Sequence, residues 1–231
     1  AGLVTVGPVG FDEVGSGKVI LVFDSDDKIP AYAKLASAIK KEGSRSWIQL
    51  FHAGAYSYSK FMGGPDPIAP SPIYSKYSKL VPREMTLEDI QQAQEGFVEA
   101  ARRAQEAGFD GVEIIGSAGY LITQFLSPLK NQRADLYGGS FENRSRFPRE
   151  IVEMMRTKLG PDYPISVRMA GNDFVPGSNT SSETPAIAKM YEQAGVDMLS
   201  VTGGWHEATI PQLPMDAPRS VFSYLAMNVK R

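Results

Sequence analysis

Side chains that could do chemistry follow the predicted strands of this chain. An amide (Gln49), a guanidinium (Arg168), a phenol (Tyr120) and an imidazole (His206) lie at or just after the ends of strand-like apolar runs. Gly7 follows the first such run, and a glycine there lets a flat ligand approach the backbone closely. The set contains neither a carboxylate pair nor a Ser/His/Asp combination. It therefore suits a planar, hydrogen-bonding cofactor better than hydrolysis.

Each of these residues also has a purely structural interpretation. Gln49 in WIQLF could alternate outward, although parallel barrel strands are buried on both sides and a functional contact is about equally expected. Arg168 could form an ion pair with an acid at the same rim. Tyr120 could be a buried tyrosine whose hydroxyl is satisfied, and His206 a capping or solvated histidine. His52 directly follows the second strand, and we interpret it as structural.

Composition excludes several classes of function. The chain has 231 residues, 24 basic and 26 acidic, so its net charge of −2 favours neither nucleic acid nor an anionic membrane. It has no cysteine, which excludes a disulfide framework, a thiolate zinc site and an iron–sulfur cluster in this chain. Two histidines cannot build a multi-histidine centre, so no metal site is predicted. No membrane span or signal peptide is visible, which predicts a cytoplasmic protein.

The elements that must position these residues alternate between strands and helices. Strands are predicted over 3–6, 46–51, 110–115, 165–168 and 198–201, and helices over 29–41, 86–107, 144–158, 182–195 and 218–229. This alternation predicts an α/β fold with a parallel sheet and helices outside it. Two architectures fit: an open five-stranded sheet, or about five of the eight units of a (β/α)8 barrel. The connections 52–85 and 116–142 are too long to be simple loops. Polar residues that could pin the second one are Asn131, Arg133, Asp135, Asn143, Arg144 and Arg146.

Several separated motifs resemble one family. They are QLFHAGAYSY at 49–58, PSP at 70–72, VPREM at 81–85, AGFDGVE at 107–113, GSAGYLITQFLSPLKNQRADLYGGSFEN at 116–143, GGWHEATIP at 203–211 and APR at 217–219. Together they resemble the Old Yellow Enzyme family of FMN-dependent oxidoreductases. The longest motif is similar to the branch that contains bacterial 2,4-dienoyl-CoA reductase. The resemblance covers nearly the whole chain.

The resemblance implies a parallel (β/α)8 TIM barrel that carries FMN at its C-terminal mouth. Residues 1–231 then form one FMN-binding barrel domain, truncated at both ends and covering barrel strands two to six. The family holds the FMN phosphate with loops after strands seven and eight. The similar branch carries an iron–sulfur cluster and a pyridine-nucleotide domain beyond the barrel, so the cluster is expected only in the full-length protein. NADH or NADPH is the implied electron donor.

The resemblance also implies a role for each candidate residue. Gln49 matches the glutamine at the flavin pyrimidine edge, and Arg168 the arginine near flavin N1 and O2. Gly7 matches a small residue whose backbone borders the flavin. Tyr120 matches the proton donor, and His206 the histidine beside it.

The implied activity is reduction of an α,β-unsaturated carbonyl compound or an enoyl or dienoyl thioester, with Tyr120 as proton donor. Ala55 and Thr209 stand where family members often have arginine, which leaves the acyl-CoA contacts open. The expected partner is a small unsaturated carbonyl or acyl-CoA substrate, and an oligomer is left open. The alternatives are an amine dehydrogenase or demethylase of the same family, or a catalytically inert barrel fragment without the phosphate site.

Overall fold

A six-stranded parallel sheet organises the computed structural model, which describes residues 1–209 and 218–230. Its strands are Leu3–Gly10 (β1), Leu21–Val22 (β2), Arg45–Leu50 (β3), Gly111–Gly116 (β6), Ile165–Ala170 (β7) and Met198–Thr202 (β8), and they lie in the spatial order β2-β1-β3-β6-β7-β8. A separate parallel pair joins Ile68–Ala69 (β4) to Arg83–Glu84 (β5). The helices are Glu13–Ser16 (α1), Ile29–Lys41 (α2), Leu87–Glu106 (α3), Leu121–Leu126 (α4), Phe141–Arg144 (α5), Arg146–Leu159 (α6), Thr184–Ala194 (α7) and Ser223–Lys230 (α8).

The apolar core lies between one face of the sheet and the helices. Ile48 and Leu50 of β3 point into this core, as do Val167 and Met169 of β7. Successive side chains of a strand point to opposite faces. The residues between them therefore lie on the other face of the sheet, called here the inner face.

The longest helix, α3, begins with two reciprocal hydrogen bonds. The Asp89 amide donates to Thr86 Oγ1 at 3.1 Å, and the Thr86 amide donates to Asp89 Oδ2 at 2.7 Å. This capping box satisfies backbone groups that would otherwise have no partner at the helix start. Arg83 donates to both Asp89 oxygens at 2.7 and 2.9 Å, and these hydrogen bonds hold the Asp89 pKa well below its usual range.

The predicted parallel α/β fold with five β/α units is confirmed, and several local predictions differ from the structure. The first strand does not stop at Val6: after a register shift between Val6 and Val9 it continues to Gly10, so Gly7 lies inside it rather than after it. Strand β2 was missed because it has only two residues. Helix α4 was missed because all six of its residues are buried, which removes the helical periodicity. Strand β7 continues past Arg168 to Ala170.

The end of the chain is described only in part. Helix α8 begins at Ser223 rather than near 218, and the end of the GGWHEATIP motif, from Ile210, lies outside the described residues, as does Arg231. Over the described parts of the chain, no helix combines the length and the apolar composition that crossing a membrane requires.

We expect Thr86→Ala to lower the free energy of unfolding by about 1 kcal/mol, because it removes the cap of α3. Urea unfolding of the purified protein measures the change. Thr157→Ala is the matched control: its Oγ1 only donates to the Glu153 carbonyl on the exposed side of α6, so a change within about 0.5 kcal/mol is expected. Equal losses in the two variants would contradict the role of the cap.

Candidate active site

The register of the strands aligns polar side chains on the inner face. Gln49 of β3 is paired with Glu113 of β6, which is paired with Ser166 of β7. Two residues further along, Ile115 of β6 is paired with Arg168. Gln49 and Arg168, two of the predicted site residues, therefore share one face of the sheet.

Gln49 is held by two neighbours. Its Nε2 donates to Glu113 Oε1 at 2.5 Å. On the other side lies the Gly7 backbone, where an added Cβ would come within 2.6 Å of Gln49 Cβ and 3.1 Å of its carbonyl oxygen. A side chain at position 7 would displace Gln49, since contacts this short do not occur between real Cβ atoms.

Arg168 is exposed on the inner face. Among residues 1–209 and 218–230 its guanidinium has no ion-pair or hydrogen-bond partner, so the ion pair of the structural interpretation is not found there. Such an exposed arginine offers a positive charge and several N–H donors to a bound anion or to the polar edge of a ring.

Tyr120 and His206 meet at the C-terminal ends of the strands. Tyr120 is the N-cap residue of α4, and His206 lies in the loop after β8. Their side chains share a hydrogen bond of 2.6 Å between Tyr120 Oη and His206 Nε2. The His206 amide also donates to the Ala118 carbonyl at 3.3 Å, which ties the two loops together.

Aromatic rings surround this pair. Tyr77 stacks on the His206 ring, with centroids 4.7 Å apart and planes at 24°. Tyr56 lies edge-on to His206 at 5.9 Å, and Phe51 lies edge-on to Tyr120 at 4.5 Å. Burial raises the pKa of Tyr120 to about 12 and lowers the pKa of His206, because both the phenolate and the imidazolium lose hydration there. Both groups are therefore neutral near pH 7.

A small apolar cluster connects the pair to the inner face. Phe51, Ala53 and Ile115 pack together, and Tyr120 lies against them. Phe51 is two residues after Gln49, and Ile115 is in register with Arg168. Of the four predicted side chains, the structure places only Tyr120 and His206 in direct contact, and this cluster lies between them and the strand positions of Gln49 and Arg168.

A buried ion pair fixes the loop that carries His206. Lys130 Nζ lies 3.2 Å from both Glu207 oxygens, and less than a tenth of either side chain is exposed. Tyr56 donates its hydroxyl to Glu207 Oε1 at 3.1 Å. Burial and the neighbouring Glu207 carboxylate raise the pKa of Tyr56. These contacts join loops that follow three different strands.

Backbone contacts hold the long loops in place. Gln124 accepts from the Ala55 amide at 3.0 Å and donates to the Gly119 carbonyl at 2.7 Å. Of the predicted scaffold, four side chains donate to backbone carbonyls in the long loops or at the end of α4: Asn131, Arg133, Arg144 and Arg146. His52 is buried, its Nδ1 accepts from the Gly54 amide at 3.0 Å, and this contact supports its structural interpretation.

One further buried acid belongs to the loop after β7. Asp173 Oδ2 accepts from Ser178 Oγ at 2.6 Å and from the Asn179 amide at 3.1 Å. Burial nevertheless raises the pKa of Asp173 to about 6, since desolvation outweighs these hydrogen bonds. This loop packs on the neighbouring one through a 2.7 Å hydrogen bond between Ser178 and Ser127.

Sequence reasoning placed Glu207 after the fifth strand without a role and gave no role to Glu113 or Lys130. Glu113 carries the same signal as Gln49, a polar residue inside an apolar strand (GVEII), and aligning the two strands would have paired them. Lys130 and Glu207 lie 77 positions apart in loops, and no spacing indicates their contact. Over the described residues, no group of three or more His, Asp or Glu side chains is placed to hold a metal ion.

The fold is that of a family of flavin oxidoreductase barrels, to which the sequence also belongs. Residues 10–230 match the model of the NADH:flavin oxidoreductase / NADH oxidase family, and the chain belongs to that family. It is 47% identical, over all of its length, to a "Metal reductase" of Desulforamulus reducens. The 2-naphthoyl-CoA reductase structure, a complex with 2-naphthoyl-CoA, superposes on 99% of the chain with a TM-score of 0.89 at 35% identity. An Old Yellow Enzyme homologue from Zymomonas mobilis superposes on 98% with a TM-score of 0.80 at 27% identity.

The chain spans only part of each of these proteins. It covers 34% of the metal reductase, 37% of the naphthoyl-CoA reductase chain and 66% of the Zymomonas protein. The sheet described above is therefore a partial barrel of this family.

The inner face fits the ring system of FMN, the cofactor that the family implies. Gly7 is exposed beside Gln49, and Gln49 itself occupies the space that a side chain on Gly7 would take. Gln49 Oε1 and the Arg168 guanidinium have no partner within the described residues, so an acceptor and a cation are available to a polar ring edge. These three residues would hold the ring.

We expect Lys130→Met to lower the free energy of unfolding by about 3–5 kcal/mol, because it leaves the Glu207 carboxylate buried without a cation. The double variant Lys130→Met/Glu207→Gln should regain most of this loss, since the introduced amide is neutral and still accepts from Tyr56. Urea unfolding measures both.

The control for this prediction is Lys60→Met. Lys60 pairs with Asp66 at 2.7 Å on the surface, where more than half of each side chain is exposed. A loss below about 1 kcal/mol is expected there. A Lys130→Met variant as stable as this control would show that the buried pair does not hold the loop.

Proposed function

We propose that the protein carrying this chain is an FMN-dependent ene-reductase. The observation that carries this proposal is the neutral, hydrogen-bonded Tyr120–His206 pair, which lies at the strand ends of a flavin oxidoreductase barrel beside the inner face. A neutral phenol beside a neutral imidazole can deliver one proton to a reacting carbon. Reduction of a carbon–carbon double bond needs such a proton, whereas amine oxidation by the same family's dehydrogenases would have to remove one.

FMN, when bound, would supply the hydride for the β-carbon of an unsaturated carbonyl compound, and NADH or NADPH would be the source of its electrons. Arg168 provides a positive charge at the inner face, which would favour a reduced, anionic ring. Gln49 provides a carbonyl oxygen and an N–H to the polar edge of the ring. Gly7 provides a backbone surface without a side chain.

Tyr120 supplies the second hydrogen of the product as a proton. Its Oη gives the proton to the α-carbon, and the resulting phenolate takes a proton back from solvent. A neutral imidazole carries a single N–H. With that proton on Nε2, His206 donates to Tyr120 Oη, which leaves the phenol O–H free to face the α-carbon and stabilises the phenolate that forms. Hydride plus proton balance the two-electron reduction.

The substrate is proposed as an enone or an unsaturated acyl thioester. The aromatic rings of Tyr56 and Tyr77 beside His206 favour a flat, apolar substrate. The naphthoyl-CoA of the similar structure is a ligand of that kind. Screening unsaturated thioesters and enones against methylamines distinguishes this proposal from amine oxidation.

Tyr120→Phe should leave reduction of the bound flavin by NAD(P)H unchanged and slow its reoxidation by an enone about 10²–10⁴-fold, because a general acid is lost. Stopped-flow absorbance at the flavin band measures each half-reaction. Tyr163→Phe is the matched control: its hydroxyl donates to the Phe109 carbonyl at the opposite end of the sheet, so both rates should stay unchanged. Equal slowing of both half-reactions by Tyr120→Phe would refute the assignment.

The enone half-reaction should also keep its rate at alkaline pH. Because the pKa of Tyr120 is raised to about 12, the phenol retains its proton well past the ordinary tyrosine value of about 10. The rate should therefore be level from about pH 7 to about pH 10 and fall only as the pH approaches 12. Stopped-flow rates across this range measure the profile. A decline centred near pH 10 would show that Tyr120 is not protected from titration.

A further inference from the structure

Glu113 is a buried acid on the inner face. Its burial does not stabilise the fold, so its presence there needs another explanation. It is 6% exposed, and within the described residues it has no ion-pair partner. Its contact is with Gln49, whose Nε2 donates to Oε1 at 2.5 Å. A carboxylate in such a place costs free energy that an apolar residue would not. Ile115, two residues further along the same strand, shows that this face accepts an apolar side chain.

The carboxylate determines which way the Gln49 amide points. An ionised carboxylate only accepts hydrogen bonds, so the group that faces it must be the NH2 and not the carbonyl oxygen. Without such a partner an amide can rotate by half a turn and exchange its donor and acceptor. With Glu113 in place, the carbonyl oxygen and the second N–H of Gln49 are left for a ligand in one fixed arrangement.

We propose that Glu113 is a positioning residue that orients the Gln49 amide for the polar edge of the flavin ring. The inference rests on the proposed function, since it takes Gln49 as a ring contact. An adjacent acceptor and donor match an imide edge, where an N–H and a carbonyl oxygen lie side by side, as in the pyrimidine half of FMN. Glu113 itself does not touch the cofactor in this role and acts only through Gln49.

The packing around Gln49 shows why a separate contact is needed to fix the orientation of its amide. Gly7 confines the start of the side chain, because an added Cβ would lie 2.6 Å from Gln49 Cβ. This contact leaves the terminal amide free to rotate. The register pairing of Gln49 with Glu113 brings a carboxylate to that amide, so the two contacts together define the position and the orientation of one polar group.

A double-mutant cycle on FMN affinity tests the proposal in the full-length holoprotein. Gln49→Met, Glu113→Met and the double variant are compared by equilibrium dialysis, with loss of FMN followed by fluorescence. We expect Gln49→Met to raise the Kd for FMN about tenfold or more and Glu113→Met about tenfold. The double variant should bind no more weakly than Gln49→Met alone, because Glu113 acts only through Gln49.

Two further variants separate orientation from folding. Glu113→Gln keeps the size and one hydrogen bond but allows either amide orientation, so a rise of a few-fold in Kd is expected. Glu106→Met is the control: Glu106 pairs with Arg102 on the surface of α3, and its loss should leave the Kd unchanged. Circular dichroism shows whether each variant is folded. An unfolded Glu113→Met shifts the test to Glu113→Gln, whose effect should likewise vanish in the Gln49→Met background.

The outcomes distinguish the inference from the function on which it rests. Single effects that multiply in the double variant would overturn the positioning role, because Glu113 would then act independently of Gln49. An unchanged Kd in the Glu113 variants, with weaker binding in Gln49→Met, would also overturn it while leaving the flavin contact intact. An unchanged Kd in Gln49→Met would overturn the proposed flavin contact itself, and the present inference with it.

Discussion

The parallel register of β3, β6 and β7 determines which side chains reach the inner face. In each strand, alternate residues enter the core beneath the helices, and the residues between them turn away from it. A shift of one residue would exchange the two faces and bury Gln49 and Arg168 under the helices. The burial of Ile48, Leu50, Val167 and Met169 therefore keeps the polar residues in position, and core packing and site geometry are one constraint.

The rim of the site depends on contacts between loops that are distant in sequence. The Tyr120–His206 hydrogen bond joins residues 86 positions apart, and the Tyr56–Glu207 bond joins residues 151 positions apart. Lys130 completes the second contact with a buried charge. Because these interactions share their loops, loosening one removes support from the others. The proton donor is thus positioned by polar contacts that form only when the strands have been assembled.

Residue patterns predicted the sheet well and the rim only in part. Alternating apolar runs indicated every long strand and located Gln49 and Arg168, because periodicity is a local property of the chain. Helix α4 was not predicted because the residues LITQFL are buried on all sides. The first strand was predicted too short because Gly7 and Pro8 are residues that usually end strands. Tyr120 and His206 were candidates because they follow predicted strands, and only the family resemblance joined them as a proton donor and its neighbour. Glu113, Lys130 and Glu207 are defined by their partners across the fold, which no local pattern shows.

Burial explains how the pair at the rim keeps both of its groups neutral. Removing water penalises the phenolate of Tyr120 and the imidazolium of His206 alike, so the two pKa values move apart from a common cause. A neighbouring negative charge would favour the protonated form of His206, and the Glu207 carboxylate is adjacent to it in sequence. Lys130 neutralises that carboxylate at 3.2 Å, and Tyr56 binds it on the other side. The buried ion pair therefore holds the loop and also keeps an uncompensated charge away from the proton that Tyr120 would deliver.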